Sequence, residues 1–152
     1  MMDEMSEKSS ESFKKVRDLI QLDIDAVEAY EKAIEQIDDS SIQNHLEQFK
    51  EDHQRHIDDL CGYLTDNDQE PPEQTADFKG ALIEGFTALR SITGTEGALK
   101  AMRSNEKLTN KKYREATTWD LDYDAKNIIM RNYEDEKVHL AYIEEQLSVK
   151  TR

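Results

Sequence analysis

Apolar residues recur along most of this chain at alternating steps of three and four, the period of helices packed along one face. Phe13, Val16, Ile20, Asp23, Val27, Tyr30 and Ile34 mark a first helix of about 25 residues. It is expected to stop in Asp38-Asp39-Ser40-Ser41, where Ser40, followed three residues later by Gln43, has the form of a capping box opening a second helix. So short a link forces an antiparallel hairpin. The second seam reads Ile42, Leu46, Phe49, His53, His56 and Leu60, widened by Ile57 and Leu64. Residues 65–76 (TDNDQEPPEQTA) interrupt the pattern, and residues 77–92 then carry Phe78, Leu82, Phe86 and Leu89 at helical spacing. This reads as a short amphipathic helix inside a connection long enough to travel the length of a bundle. After Gly94, Thr95 can cap a third helix with the seam Leu99, Met102, Glu106, Thr109, Tyr113 and Ala116. Residues 117–122 make a turn in which Asp122 is the candidate N-cap of a fourth helix, with Ile129, Tyr133, Glu136, His139, Leu140, Ile143 and Leu147 on one face. The expected architecture is all-α: one antiparallel four-helix bundle over residues 10–149, preceded by a loose polar tail at 1–9. A long crossover containing a short extra helix separates the second and third helices.

The seams are interrupted by ionisable residues, and the interruptions repeat. Sliding the chain on itself by the offset from Asp23 to Glu106 lays residues 16–64 over 99–147, within two pseudo-repeats spanning 10–65 and 95–148, with few identities. Agreement falls at Tyr30 on Tyr113, Ala33 on Ala116, Glu51-Asp52 on Glu134-Asp135, and His56 on His139. Asp23 lands on Glu106, and His53 on Glu136. Residues three apart share a helix face, so Glu136 projects with His139 and His53 with His56. Two hairpins face to face then aim Asp23, His53, His56, Glu106, Glu136 and His139 at the middle of the bundle. Ionised groups in a core need a compensating partner, and a divalent or trivalent cation is the simplest one. An apo network pairing imidazolium with carboxylate is the other solution.

Composition narrows the classes. The chain has 152 residues, 34 acidic against 20 basic, and a net charge of −14, which fits one domain and disfavours nucleic acid or anionic lipid as a partner. No run approaches a membrane span, and the first ten residues lack the basic start and apolar core of a signal peptide, so the expected compartment is cytoplasmic. Cys61 is the only cysteine and reads as a half-buried thiol; His45 reads as a surface residue. Asp52, four residues before His56, reads more readily as a group behind the ligands than as a ligand, given its match to Asp135. Tyr30 and Tyr113 read either as donors to carboxylates, with a radical-quenching role near iron as a variant, or as ordinary seam aromatics.

One acid on each of the first and third helices, with a histidine three residues after a polar residue on the second and fourth, resembles the carboxylate-bridged di-iron site of the ferritin-like superfamily, including rubrerythrins. The runs LIQLDIDAVEAYEKAIEQIDD, FKEDHQRHIDDL, EGALKAMRSNEKLTNKKYREA and YEDEKVHLAYIEEQL are more similar still to a family of small bacterial ferritin-like four-helix bundles of unknown function. The resemblance implies a ferritin-like fold over residues 12–148 and a metal site. In it Asp23 and Glu106 would be terminal ligands, Glu136 a bridging carboxylate, and His56 and His139 one imidazole per metal. His53 stands where the superfamily usually has a second bridging glutamate, and one imidazole nitrogen does not bridge two irons as a carboxylate does. With Asp23 one methylene shorter than glutamate and three acids in place of four, the set favours an asymmetric, mononuclear or zinc site. Iron, as one or two ions, is the expected cofactor, with zinc or manganese as substitutes.

These readings favour a metal-binding protein in metal handling or oxidative-stress protection, with metal ions as partners and a homodimer as the expected assembly if it self-associates. A di-iron oxidase or peroxidase and a metal-free helical interaction module are the alternatives.

Overall fold

The computed structural model describes residues 4–73 and 94–150, and among these every element is a helix. The elements are α1 (Glu4–Glu35), α2 (Ser40–Asp66), α3 (Gly94–Ala116) and α4 (Tyr123–Lys150). Residues 77–92, expected as a short amphipathic helix, lie outside the described residues. Residues 4–9, expected in a loose tail, are the opening turns of α1.

α1 packs against α2 and α3, and α4 against the same two helices, so the four close a bundle. The Asp38 backbone N–H donates to Thr95 Oγ1 at 3.0 Å, which sets the end of α1 beside the start of α3. Tyr63 Oη donates to Asp122 Oδ2 at 2.8 Å, which sets the end of α2 beside the start of α4. Every adjacent pair is therefore antiparallel, and α2 and α3 run the same way, so α2 ends and α3 begins at opposite ends of the bundle. Gly94 starts α3 with φ +85°, a left-handed conformation that glycine adopts without a Cβ clash. None of the described helices is long and apolar enough to cross a membrane.

Two of the expected caps are corrected. α2 is capped by Asp39, whose Oδ1 accepts from Ile42 N at 3.0 Å, rather than by Ser40. Gln43 Nε2 donates instead to the Ile37 carbonyl in the α1–α2 link at 2.8 Å and to the Ile34 carbonyl in the last turn of α1 at 3.4 Å. Its amide thus ties the link to α2 instead of completing a capping box. Thr95 lies within α3 and accepts from the α1–α2 turn. Asp122 does cap α4, accepting from Ala125 N at 3.0 Å. The repeat superposes Asp39 on Asp122, so one aspartate opens the second helix of each hairpin.

The seams face inward. Val16, Ile20, Asp23, Tyr30, Leu46, His53, His56, Leu60, Leu99, Met102, Glu106, Tyr113, Ile129, Glu136, His139 and Ile143 are all buried. On α4 the inward residue near the site is Asn132, 2 % exposed, while Tyr133, expected on that face, is only half-buried. The apolar core is split into two clusters. One gathers Tyr30, Ile37, Leu46, Phe49, Leu99, Met102 and Ile143. The other gathers Val16, Ile20, Leu60, Leu64, Tyr113, Leu121 and Ile129. Between them lies a polar layer one to two helical turns thick, made of the ionisable interruptions.

Candidate metal centre

Each helix contributes to that layer for a local reason. Asp23 and Glu106 sit on the inward stripes of α1 and α3, about two helix turns from Tyr30 and Tyr113 respectively. His53 and His56 share the inward face of α2, as Glu136 and His139 share that of α4. All six are at most 1 % exposed. The structure brings them together in two overlapping groups: Asp23, His53, His56 and Glu136, and His53, Glu106, Glu136 and His139. In each, one donor atom per residue lies within 4.8 Å of the others.

On the His56 side, Asp23 Oδ1 is 2.7 Å from His53 Nδ1 and 3.2 Å from His56 Nδ1. Asp23 Oδ2 accepts from Tyr113 Oη at 2.5 Å. Glu136 Oε1 lies 3.4 Å from His53 Nδ1 and 3.5 Å from His56 Nδ1. On the His139 side, Glu106 Oε1 is 3.1 Å from His53 Nε2 and 3.4 Å from His139 Nδ1, and it accepts the Tyr30 hydroxyl. Glu136 Oε2 lies 3.6 Å from His139 Nδ1. Thr109 Oγ1 reaches both acids, Glu106 Oε2 at 2.9 Å and Glu136 Oε2 at 3.0 Å. Asn110 Nδ2 donates to the carbonyls of Glu106 and Glu136, at 2.8 and 2.9 Å, and ties α3 to α4 behind the acids.

The supporting residues cross between hairpins. His56 Nε2 is 2.9 Å from Asp135, and His139 Nε2 is 2.8 Å from Asp52. Each aspartate fixes the ring of the opposite hairpin, with Nε2–H donating outward and Nδ1 turned into the layer, the arrangement by which a carboxylate orients a metal-binding imidazole. Arg55 pairs with Asp135 and lies 3.5 Å from Asp52, covering both from the surface. The tyrosines cross too, so Tyr30 donates to the acid of α3 and Tyr113 to that of α1. Asn132 and Phe49 were absent from the residues expected around the site. Asn132 Nδ2 donates to Tyr113 Oη at 3.3 Å, and the Phe49 ring stacks on His139 at 4.3 Å. Their superposition in the repeat is the signal that could have found them.

The electrostatics follow from packing unlike charges in a dry layer. Burial opposes charge on His53, but Glu136, Asp23 and Glu106 outweigh it and push that imidazole up to about 10. His56 is likewise pushed up to about 10 against burial by Asp23, Asp135 and Glu136. His139 is pushed up to about 11 by Asp52, Glu106 and Glu136. Burial would raise Asp23, yet His56 and His53 hold it below its usual range; His139 and His53 do the same for Glu106, more strongly. Glu136 goes the other way, raised by burial and by Glu106. Burial and the adjacent carboxylates also raise Tyr30 and Tyr113 well above the usual phenol, so both keep their protons and donate.

The residues fit a transition-metal ion. Two buried atoms of the layer, His139 Nδ1 and Glu136 Oε1, have no hydrogen-bond partner, and in a dry interior an ion would satisfy both once the imidazole gives up its proton. Four donors around an ion with bonds of about 2.0–2.1 Å stand about 3.3 Å apart; the closest donor pairs here are 2.7–3.6 Å apart, in groups whose donors all lie within 4.8 Å of one another. Nitrogen with carboxylate oxygen suits zinc, iron, manganese or copper better than calcium. Away from this layer, Cys61 is half-buried, and His45 is exposed with its ring stacked on Tyr142 at 4.3 Å.

The fold has a precedent among solved structures. A conserved hypothetical protein, rv2844, from Mycobacterium tuberculosis superposes with a TM-score of 0.76 over 93% of each chain, at 11% identity, a likeness of fold alone. None of the curated proteins matches the chain. The family described as "Domain of unknown function (DUF2383)" matches residues 11–118, from the second turn of α1 through α3 into the following turn. On that match, the chain belongs to the family of unknown function DUF2383.

Proposed function

We propose that this is a ferritin-like metal-binding protein whose bundle interior holds one or two transition-metal ions, iron or zinc foremost, in metal handling or protection from oxidative stress. The ligands are Asp23, His53, His56, Glu106, Glu136 and His139. The observation that carries the reading is the pair of inward-facing, unpartnered atoms, His139 Nδ1 and Glu136 Oε1, in a layer where every other ligand histidine nitrogen and carboxylate oxygen is oriented by a neighbour. The acid-plus-histidine pattern across four helices resembles that of ferritin-like carboxylate metal proteins, with Asp23 and His53 standing where those have glutamates. Binding without turnover is favoured over oxidase chemistry because the layer is sealed by two apolar clusters and its six ligands are essentially unexposed.

The test is elemental analysis of protein purified without chelator, repeated on His56→Ala and Glu136→Ala. Bound iron, zinc or manganese that falls several-fold in both variants supports the reading. Peroxide-dependent spectral change with two irons per chain would move it to an enzyme. Full metal content in both variants would overturn the ligand assignment, and no metal in any preparation would leave a self-neutralised helical module.

A further inference from the structure

His53 is the position at which the two halves of the centre cease to match, since the repeat places it on Glu136. Glu136 nevertheless spans the layer by its two oxygens, Oε1 lying 3.5 Å from His56 Nδ1 and Oε2 3.6 Å from His139 Nδ1. The His53 ring spans it in the same sense. Its Nδ1 lies 2.7 Å from Asp23 Oδ1 and its Nε2 3.1 Å from Glu106 Oε1. The in-plane lone pairs of the two imidazole nitrogens diverge, so both cannot converge on one ion. What a single nitrogen cannot do, the ring can.

We propose that His53 is a bridging ligand, binding through Nδ1 the ion held by Asp23, His56 and Glu136 Oε1, and through Nε2 the ion held by Glu106, His139 and Glu136 Oε2. The proposal rests on the metal-binding reading above and adds the number and connection of the ions. Each ion then has two nitrogens and two oxygens. A ring bound at both nitrogens carries no N–H; its protons leave to solvent as the ions enter, and it remains as imidazolate. Its single negative charge stands in for the fourth carboxylate this chain lacks. A bridge of this kind spaces the ions by the width of a ring rather than by one oxygen, and selects ions with high affinity for imidazole nitrogen, such as copper(II), zinc(II) and cobalt(II).

The probe is copper(II) chloride added to the chelator-treated full chain, with metal content and the integrated electron spin resonance signal measured together. The expected result is two coppers per chain and a signal far below that of the same copper released in acid, because the bridge couples the spins. His53→Gln, shown by circular dichroism to stay helical, is expected to regain the full signal of the copper it holds. Glu136→Gln is expected to keep the loss. One copper per wild-type chain, two with undiminished signal, or coupling that persists in His53→Gln and vanishes in Glu136→Gln would overturn the bridge while leaving the metal-binding reading intact. A chain that takes up no metal of any kind removes both.

Discussion

The His56 and His139 sides of the centre are built from corresponding residues of two hairpins yet are finished differently. Each has an acid from one helix, a histidine braced by the opposite hairpin's aspartate, and a tyrosine donating across the bundle. On the His56 side Asp23 is saturated by His53, His56 and Tyr113, and Asn132 extends the chain of donors through Tyr113. On the His139 side Thr109 clamps two acids, Phe49 covers the imidazole, and His139 Nδ1 is left without a hydrogen bond. The repeat lays Ala26 and Val27 under Thr109 and Asn110, and Phe49 under Asn132. Near-symmetry supplies a centre, and a few unmatched neighbours make its two sides chemically unequal.

The largest expected effect strikes both sides at once. His53, His56 and His139 are raised from 6.5 to about 10, about 10 and about 11, so in the metal-free protein the stability they contribute is fully present below 6.5 and is lost as pH rises through those values. Glu136, raised from 4.5, works in the same direction from a lower pH. Asp23 and Glu106 are lowered, so their contribution is present above 3.8 and 4.5 and disappears in acid. Melting temperature in chelator is expected to fall steadily from about pH 6.5 to about pH 10. A flat profile would mean that the three imidazoles are not protonated together.

Removing one acid breaks one side. Asp23→Ala and Glu106→Ala each leave buried imidazolium without its partner, and each is expected to cost about 3–5 kcal/mol in urea unfolding of the metal-free chain. A marked difference between them would show that His53 is held chiefly by one side. The covering residues differ more gently. Phe49→Ala is expected to cost about 3 kcal/mol by opening a cavity over His139, and Asn132→Ala about 1 kcal/mol through a lost hydrogen bond to Tyr113. Equal costs would erase that asymmetry.

The caps extend the comparison to the two hairpin turns. Asp39→Ala is expected to lower stability by about 1 kcal/mol. Asp122→Ala is expected to cost about 2 kcal/mol, since Asp122 also accepts from Tyr63 while Asp39 has no such second donor among its described bonds. Urea midpoints of the two variants measure the difference.

The six ionisable residues of the layer were legible in the sequence because each interrupts an apolar stripe in phase, and a helix face is a local property of three- and four-residue spacing. The caps were less so: Ser40 satisfies the capping-box pattern, but the turn geometry presents Asp39, and only the repeat to Asp122 hints at it. Asn132 was hidden because it and Tyr133 sit next to each other at the edge of the stripe, and small rotations of α4 decide which one enters.

By itself the sequence determined four helices, their inward faces, the hairpin within each half and the set of side chains that would meet in the middle, all of which follow from backbone hydrogen bonding and local periodicity. Only the tertiary structure decided that Asp52 braces His139 and Asp135 braces His56, that each tyrosine serves the other half's acid, and that the His53 ring lies with one nitrogen toward each side. Those relations depend on the axial register and rotation of one helix against another, which are set by the packing of both apolar clusters at once and are carried by no single stretch of chain.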